Sequence, residues 1–208
     1  MDFDEISFLQ QIVNRNKIKA NEVIDVGVRA GTPSLYRAFP KADFLLVDPQ
    51  KGGDALLQEK PLKYEFLNVG LGSSFGTAVL NEQGGKSSVL DRTSVTAGKI
   101  EEKYEFEVVT LDSVINEKMH TSSIGIKIDT EGYELEVIKG LNDNVDRISF
   151  IIAEASVRKR FLDSYSFDEF IMAMKDRGFL FYTIVSRPNQ KPFHHDVLFL
   201  PASHHMLQ

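Results

Sequence analysis

Acidic side chains recur in this sequence where apolar runs stop, which is where a sheet edge presents its chemistry. "VIDVGVRAG" (Val23 to Gly31) carries Asp25 inside an apolar run, with Gly27 and Gly31 in the turn that follows. Two glycines at this spacing mean that something approaches the main chain closely, because a side chain would fill the space. Thr32 and Pro33 then read as the N-cap and first residue of a helix. "LLVDP" ends a second run on Asp48, and "YEFLNVGL" contains Asn68. "IGIKIDTEGYELEVIKGL" delivers Asp129, with Glu131 just beyond it, and "ISFIIAEAS" delivers Glu154. His194 and His195 stand immediately before the last apolar run.

These residue types narrow the ligand. The turn reads D-x-G-x-x-x-G, not the G-x-G-x-x-G that suits a dinucleotide pyrophosphate. An acid at the end of the second run accepts hydrogen bonds from two ribose hydroxyls, although Asp48 before Pro49 also suits simple turn initiation. A glycine turn, a ribose acid and no phosphate signal point to a nucleoside carrying a charged side group, and S-adenosylmethionine fits. The expected cofactor contacts are Asp25, Gly27, Gly31, Thr32, Asp48 and Asn68. Asp129 and Glu131 lie close enough to repel and to be partly desolvated, which is costly unless a cation or proton resides there. Their other reading is an N-capping Asp and a solvated Glu that favours a helix dipole. Asp129, Glu131 and Glu154 show no recognised metal-ligand spacing, so no metal is expected.

The elements that must position these groups alternate in type. Phe3, Ile6, Leu9, Ile12 and Val13 have helical spacing, which predicts an N-terminal helix within residues 1–20. Strands are expected at 22–28, 43–48, 64–71, 124–129, 148–155, 180–186 and 196–201, several of them apolar on both faces. Strand, helix, strand in repetition predicts a mostly parallel, doubly wound α/β sheet. Only "RPNQKPFHH" separates the last two strands, too short for a helical crossover, so the sheet should end in an antiparallel hairpin. "YSFDEFIMAMKDRG" carries a capping box (Ser166, Glu169), a hydrophobic staple (Tyr165, Phe170) and a terminating Gly178. Residues 73–105, rich in glycine and serine, should form a hairpin and loop that project over the sheet edge.

Composition sets the outer limits. At 208 residues, 42% hydrophobic and 26% charged, the chain should form one domain with a proper core. There is no cysteine, which excludes disulfides, thiolate metal sites and cysteine nucleophiles. A formal charge of −6 gives no general attraction to phosphate backbones, so nucleic acid is not an expected partner. No apolar run reaches about 18 residues, and "MDFDEISFLQQ" lacks the order of a signal peptide. A cytoplasmic protein without membrane contact is therefore expected; the oligomeric state is not legible.

"VIDVGVRAG", "LLVDP", "VVTLDSVI" (108–115), "IKIDTEGYELEVIKG" and "IIAEAS" followed by "SFDEFIMAMKDRGF" together resemble the FkbM-type family of S-adenosylmethionine-dependent methyltransferases, from about residue 20 to 200. The "KIDTEGYELEVIKG" block is the most specific. The resemblance implies a class I, Rossmann-like methyltransferase fold and O-methylation of a small molecule or glycan. One departure stands out: the family turn usually reads D-V-G-A-N-x-G, and Val28 and Arg29 replace Ala and Asn here. Methyl transfer to a hydroxyl needs acceptor and methyl held in line, and a base for the proton. Asp129 is expected to orient the cofactor's charged end or the acceptor, and Glu131 or His195 to take the proton. N-methylation on the same fold, a non-catalytic nucleoside-binding module and a nicotinamide dehydrogenase are the alternatives, the last disfavoured by the glycine spacing. His204 and His205 carry no expected role.

Overall fold

A computed structural model of the chain describes residues 5–83, 87–94, 96, 98–187 and 192–208. The first helix, α1 (Glu5–Arg15), buries Leu9 and Val13 of the expected stripe; Phe3 and the side chain of Ile6 lie outside the described residues. Among the described residues ten strands follow in two sheets. β1 (Glu22–Val26), β2 (Asp43–Val47), β3 (Tyr64–Leu67), β7 (Ile124–Ile128) and β8 (Ile148–Ser156) run parallel, and β9 (Phe179–Ile184) and β10 (His194–Pro201) complete the seven-stranded sheet. Its order is β3-β2-β1-β7-β8-β10-β9. The expected hairpin therefore folds inward: β10 inserts antiparallel between β8 and β9 and leaves β9 at the edge.

Both sheet faces are covered, as the two-sided apolar runs require. Ile24, Val26, Ile126, Ile128, Ile151 and Phe199 pack under α3 (Leu111–Lys118), α4 (Glu134–Lys139) and α5 (Phe167–Asp176). Val23, Phe44, Leu46, Phe150, Ile152 and Leu198 pack under α1 and the short α2 (Pro33–Ala38). α5 begins with the expected capping box: Glu169 N donates to Ser166 Oγ at 3.3 Å and Ser166 N to Glu169 Oε2 at 2.6 Å. Tyr165 stacks on Phe170 with centroids 5.1 Å apart, the staple in physical form.

The expected strand 64–71 is two strands. The chain stays with β2 to Leu67, breaks at Asn68, and resumes as β4 (Gly70–Gly72) in a second sheet of order β4-β6-β5. β5 (Gly76–Glu82) and β6 (Glu102–Thr110) pair antiparallel there. Between these two strands in sequence, Asp91 and Thr93 are clamped to the loop after β8: Thr93 N donates to Arg160 O at 2.9 Å and Leu162 N to Asp91 O at 2.7 Å. Among the described residues no helix is long and apolar enough to cross a membrane.

Candidate active site

The glycine turn has a partner for its close approach, and it is the protein's own main chain. Gly27 has φ +80°, and a Cβ on it would lie 1.8 Å from the carbonyl oxygen of Asp129. Gly31 has φ +106°, and its Cβ would meet the Glu59 carbonyl oxygen at 2.3 Å. Gly27 N donates to Val47 O and Asp129 N to Val26 O, so the ends of β1, β2 and β7 are laced together at this point. Both glycines also border a cavity of about 400 Å³ that runs from Val28 and Arg29 across to Glu154 and Asp196. Arg29, in the place where the family turn usually carries Asn, takes a left-handed φ of +43° with its side chain in solvent.

Asp48 is buried at the cavity wall and spends each oxygen on a local amide. Arg29 N donates to Oδ2 at 2.7 Å and Gln50 N to Oδ1 at 2.8 Å. Burial pushes its pKa up against those two bonds. It is a turn former, and each oxygen has a further lone pair beyond these bonds. Thr32 stands at the N-cap of α2 with Pro33 after it, but its side chain makes no capping bond and instead borders the cavity.

Two expected cofactor contacts are not on the cavity wall. Asp25 lies beneath it, fully buried, with Oδ2 accepting from Tyr36 OH at 3.1 Å; burial raises its pKa and the Lys127 charge opposes that. Asn68 turns its amide inward, donating to Asp48 O at 2.7 Å and Gln50 O at 3.1 Å. Both support the edge from behind: the β3 break turns Asn68 toward the Asp48 loop, and strand alternation sends Asp25 into the α2 face.

The other half of the cavity is acidic and cross-braced. Asp129 faces it with 34% of its side chain exposed, and Lys127 Nζ, buried below, donates to Oδ2 at 2.9 Å. Burial and the Glu154 charge raise the Asp129 pKa, while Lys127 opposes them. Burial works to lower the Lys127 pKa, but the charges of Asp129, Asp196 and Asp25 outweigh it and hold the ammonium charged. Glu131, at φ +51°, is gripped by Arg92 Nη2 at 3.0 Å and Arg160 Nη1 at 3.2 Å. Burial and the Glu154 charge raise its pKa, against the two guanidiniums that brace it. Its carbonyl also accepts from Ser88 Oγ at 2.7 Å, and Ser88 roofs the cavity.

The two histidines separate. β10 starts two residues before the expected strand, so His194 and His195 fall on opposite sheet faces. His195 shares a 3.2 Å hydrogen bond with Ser186 Oγ, and neither His195 nor His194 lines the cavity itself. His194 Nδ1 bonds Glu154 Oε1, while Arg160 holds Oε2. Burial would raise the Glu154 pKa, but His194 and Arg160 bring it down to about 2.

Glu134, which no sequence motif singles out, is fully buried behind this wall. Its Oε1 accepts from Thr130 N and Gly132 N, both at 3.0 Å, and Oε2 from Tyr165 OH at 2.5 Å. The signal was present: Glu134 shares the buried helical stripe with Val137, Ile138 and Leu141. Lys127 was legible in the same way, as a charge interrupting an isoleucine alternation. Oxygens of Asp129, Glu134 and Glu154 lie within 4.8 Å of one another. Those of Glu134 and Glu154 already have protein donors, so no metal is assigned to them. Two polar atoms here, Asp25 Oδ1 and the cavity-lining Thr130 Oγ1, are buried without a hydrogen-bond partner.

The strand order and this edge invite comparison with known proteins. No curated protein matches the sequence. Magnesium protoporphyrin IX methyltransferase (ChlM) from Synechocystis PCC 6803, solved with bound SAM, is similar in structure with a TM-score of 0.50 and 10% identity, over 95% of this chain and 77% of that one. Precorrin-6y C5,15-methyltransferase from Geobacter metallireducens GS-15 has a TM-score of 0.47 and 8% identity, over 95% of this chain and 87% of that one. At such identities the ChlM likeness shows the fold, that of a class I methyltransferase. Residues 16–181 match the methyltransferase FkbM domain, and the chain belongs to that family of S-adenosylmethionine-dependent methyltransferases.

Proposed function

We propose that this methyltransferase transfers its methyl group to a hydroxyl of a small polar molecule or sugar. The observation that carries this reading is the wall above β7, β8 and β10. Asp129, Glu154 and Asp196 line the cavity there with hydrogen-bond acceptors, and the cation among them, Lys127, is tied to Asp129 from below. Such a wall suits an acceptor rich in O–H donors and disfavours an anionic one.

The residues present fit S-adenosylmethionine. A cavity of about 400 Å³ has the size of a small-molecule site. In this reading Asp48 accepts from the ribose hydroxyls with its remaining lone pairs, and the main chain from Gly27 to Thr32 borders the amino-acid end. The unpartnered Thr130 Oγ1 gives the ligand one more polar contact. When bound, the cofactor supplies an electrophilic methyl carbon. Asp129 orients the acceptor or the cofactor's charged end, Glu131 holds the roof through Arg92 and Arg160, and Asp25 and Asn68 stiffen the edge.

A thermal-shift screen followed by methyl transfer to a panel of sugars, polyols and amines tests this. S-adenosylmethionine and its demethylated product should stabilise the protein by roughly 2.7 kcal/mol at about 100 times their dissociation constant, and NAD should not. Asp48→Ala should weaken that binding by about 1–3 kcal/mol, the range for hydrogen bonds to a charged group. Transfer to amines but to no hydroxyl would replace this reading with N-methylation, in which the acceptor needs a weaker base or none.

A further inference from the structure

His194 stands beside the cavity wall, joined to it through the cavity-lining Glu154, with its chemistry half committed. On β10 it lies on the same face as the cavity-lining Asp196, one position further toward the open end of the sheet. The register sets Asp196 opposite Glu154 and His194 opposite Ser156, so His194 and Glu154 meet diagonally across the strand pair. Glu154 borders the cavity and holds His194 Nδ1 through Oε1, with Arg160 fixing the carboxylate by its other oxygen. That bond settles the imidazole's orientation: Nδ1 carries the proton that Glu154 accepts, and Nε2 keeps a lone pair. The His194 side chain is 44% exposed, which leaves the ring open to solvent.

We propose that His194, oriented by Glu154, is the general base that takes the proton from the acceptor hydroxyl. This rests on the hydroxyl-methylation reading. The hydroxyl oxygen forms the new bond to the methyl carbon, the electron pair of the broken C–S bond stays on sulfur, and the hydroxyl proton passes to Nε2. The resulting imidazolium is stabilised by the Glu154 carboxylate and returns its proton to solvent. The charged groups around His194 are Glu154 on β8, Arg160 in the loop after β8, Asp196 on its own strand and Asp129 at the end of β7. The Glu154 hydrogen bond and charge raise the His194 pKa, while burial and Arg160 work against them.

Two measurements test the assignment. In the first, kcat is followed against pH for wild type, His194→Gln, Glu154→Gln and Asp129→Asn, with the best hydroxyl acceptor of the panel. Wild-type turnover should rise through a pKa above the ordinary imidazole value. Glu154→Gln should move that limb to lower pH, and His194→Gln should abolish it, with kcat down 10²–10⁴-fold and affinity for the demethylated cofactor unchanged. In the second, imidazole NMR titration of the protein needs no turnover: the His194 signal should titrate high and fall on Glu154→Gln. A limb that survives His194→Gln and disappears in Asp129→Asn would overturn the assignment in favour of Asp129. A His194 signal indifferent to Glu154→Gln would overturn the pairing. If no hydroxyl is methylated at any pH, the hydroxyl reading falls and the base role with it; transfer with an intact limb in His194→Gln removes the base role alone.

Discussion

The β1–β2 edge and the β7–β8–β10 edge wall the same cavity, yet they are held together differently. At the first, polar side chains bond nearby main chain: Asp48 takes the amides of Arg29 and Gln50, Asn68 reaches Asp48 and Gln50 carbonyls, and two glycines let carbonyls pass. At the second, side chains bond side chains from distant segments: Glu131 with Arg92 and Arg160, Glu154 with Arg160 and His194, Glu134 with Tyr165. A backbone-built edge is rigid and tolerant of which side chains surround it. A charge-built edge stays shaped only while every partner is present, because removing one strands another in low dielectric.

The most severe way to break the first edge is Gly27→Val. The added Cβ would fall 1.8 Å from Asp129 O at a left-handed φ, so the main chain of β1 or β7 must move. The variant should fail to fold or lose more than about 5 kcal/mol in urea denaturation. If it instead kept wild-type stability and lost only cofactor affinity, the close approach would belong to the ligand and the contrast between the edges would collapse.

At the second edge, Glu131→Gln should cost about 3–5 kcal/mol, since Arg92 and Arg160, both 5% exposed, would lose their shared carboxylate charge. The roof around Ser88 to Thr93 is clamped beside these arginines, so limited proteolysis there should quicken in the same variant. Unchanged stability and cleavage would mean that the main-chain bonds from Asp91 and Thr93 to the β8 loop hold the roof unaided.

A third difference lies in protons. Burial, with the nearby Glu154 charge, lifts the Glu134 carboxyl to about 7 from an ordinary 4.5, so the folded chain binds a proton that the unfolded chain releases between those values. Stability from this group is therefore present below about pH 4.5 and is lost as pH rises toward 7, by at most about 3 kcal/mol over the window. Glu134→Gln keeps an acceptor for Thr130 N and Gly132 N while removing the titration. Denaturation curves across that window should flatten in the variant; an equal slope would assign the pH dependence to other groups.

The two edges also differ in how well the sequence shows them. Asp48 announces itself because it ends an apolar run, and Gly27 and Gly31 because of their spacing in one turn; alternating strands and helices carry the sheet and its closing hairpin. The acidic edge is legible only as isolated acids. That Glu131 is a brace depends on residues 92 and 160, and which histidine meets Glu154 depends on where β10 begins. A two-residue shift in a strand start does not change faces, but it moves both histidines from loop into strand, where alternation sends neighbours to opposite sides. The break at Asn68 was hidden for a related reason: "YEFLNVGL" carries strand-forming apolar residues on both sides of Asn68, and only tertiary pairing with β6 draws its second half into another sheet.

The smallest expected effect returns to the backbone-built edge. Arg29 sits at φ +43°, where a β-carbon is crowded and asparagine is among the residues best able to adapt. Its structural contribution is its amide, which donates to Asp48 Oδ2 and survives any side-chain change short of proline. The guanidinium is exposed and assists Asp48 only by its charge, which lowers the carboxyl pKa after the two amide bonds have done so. Arg29→Asn should therefore relieve strain without removing a contact, raising stability by about 0.5–1 kcal/mol, with affinity for the demethylated cofactor equal or better. A thermal melt and a titration of the same sample measure both. A clear loss of affinity with stability intact would show that the Arg29 side chain folds back over the bound ligand, and the first edge would then depend on a side chain after all.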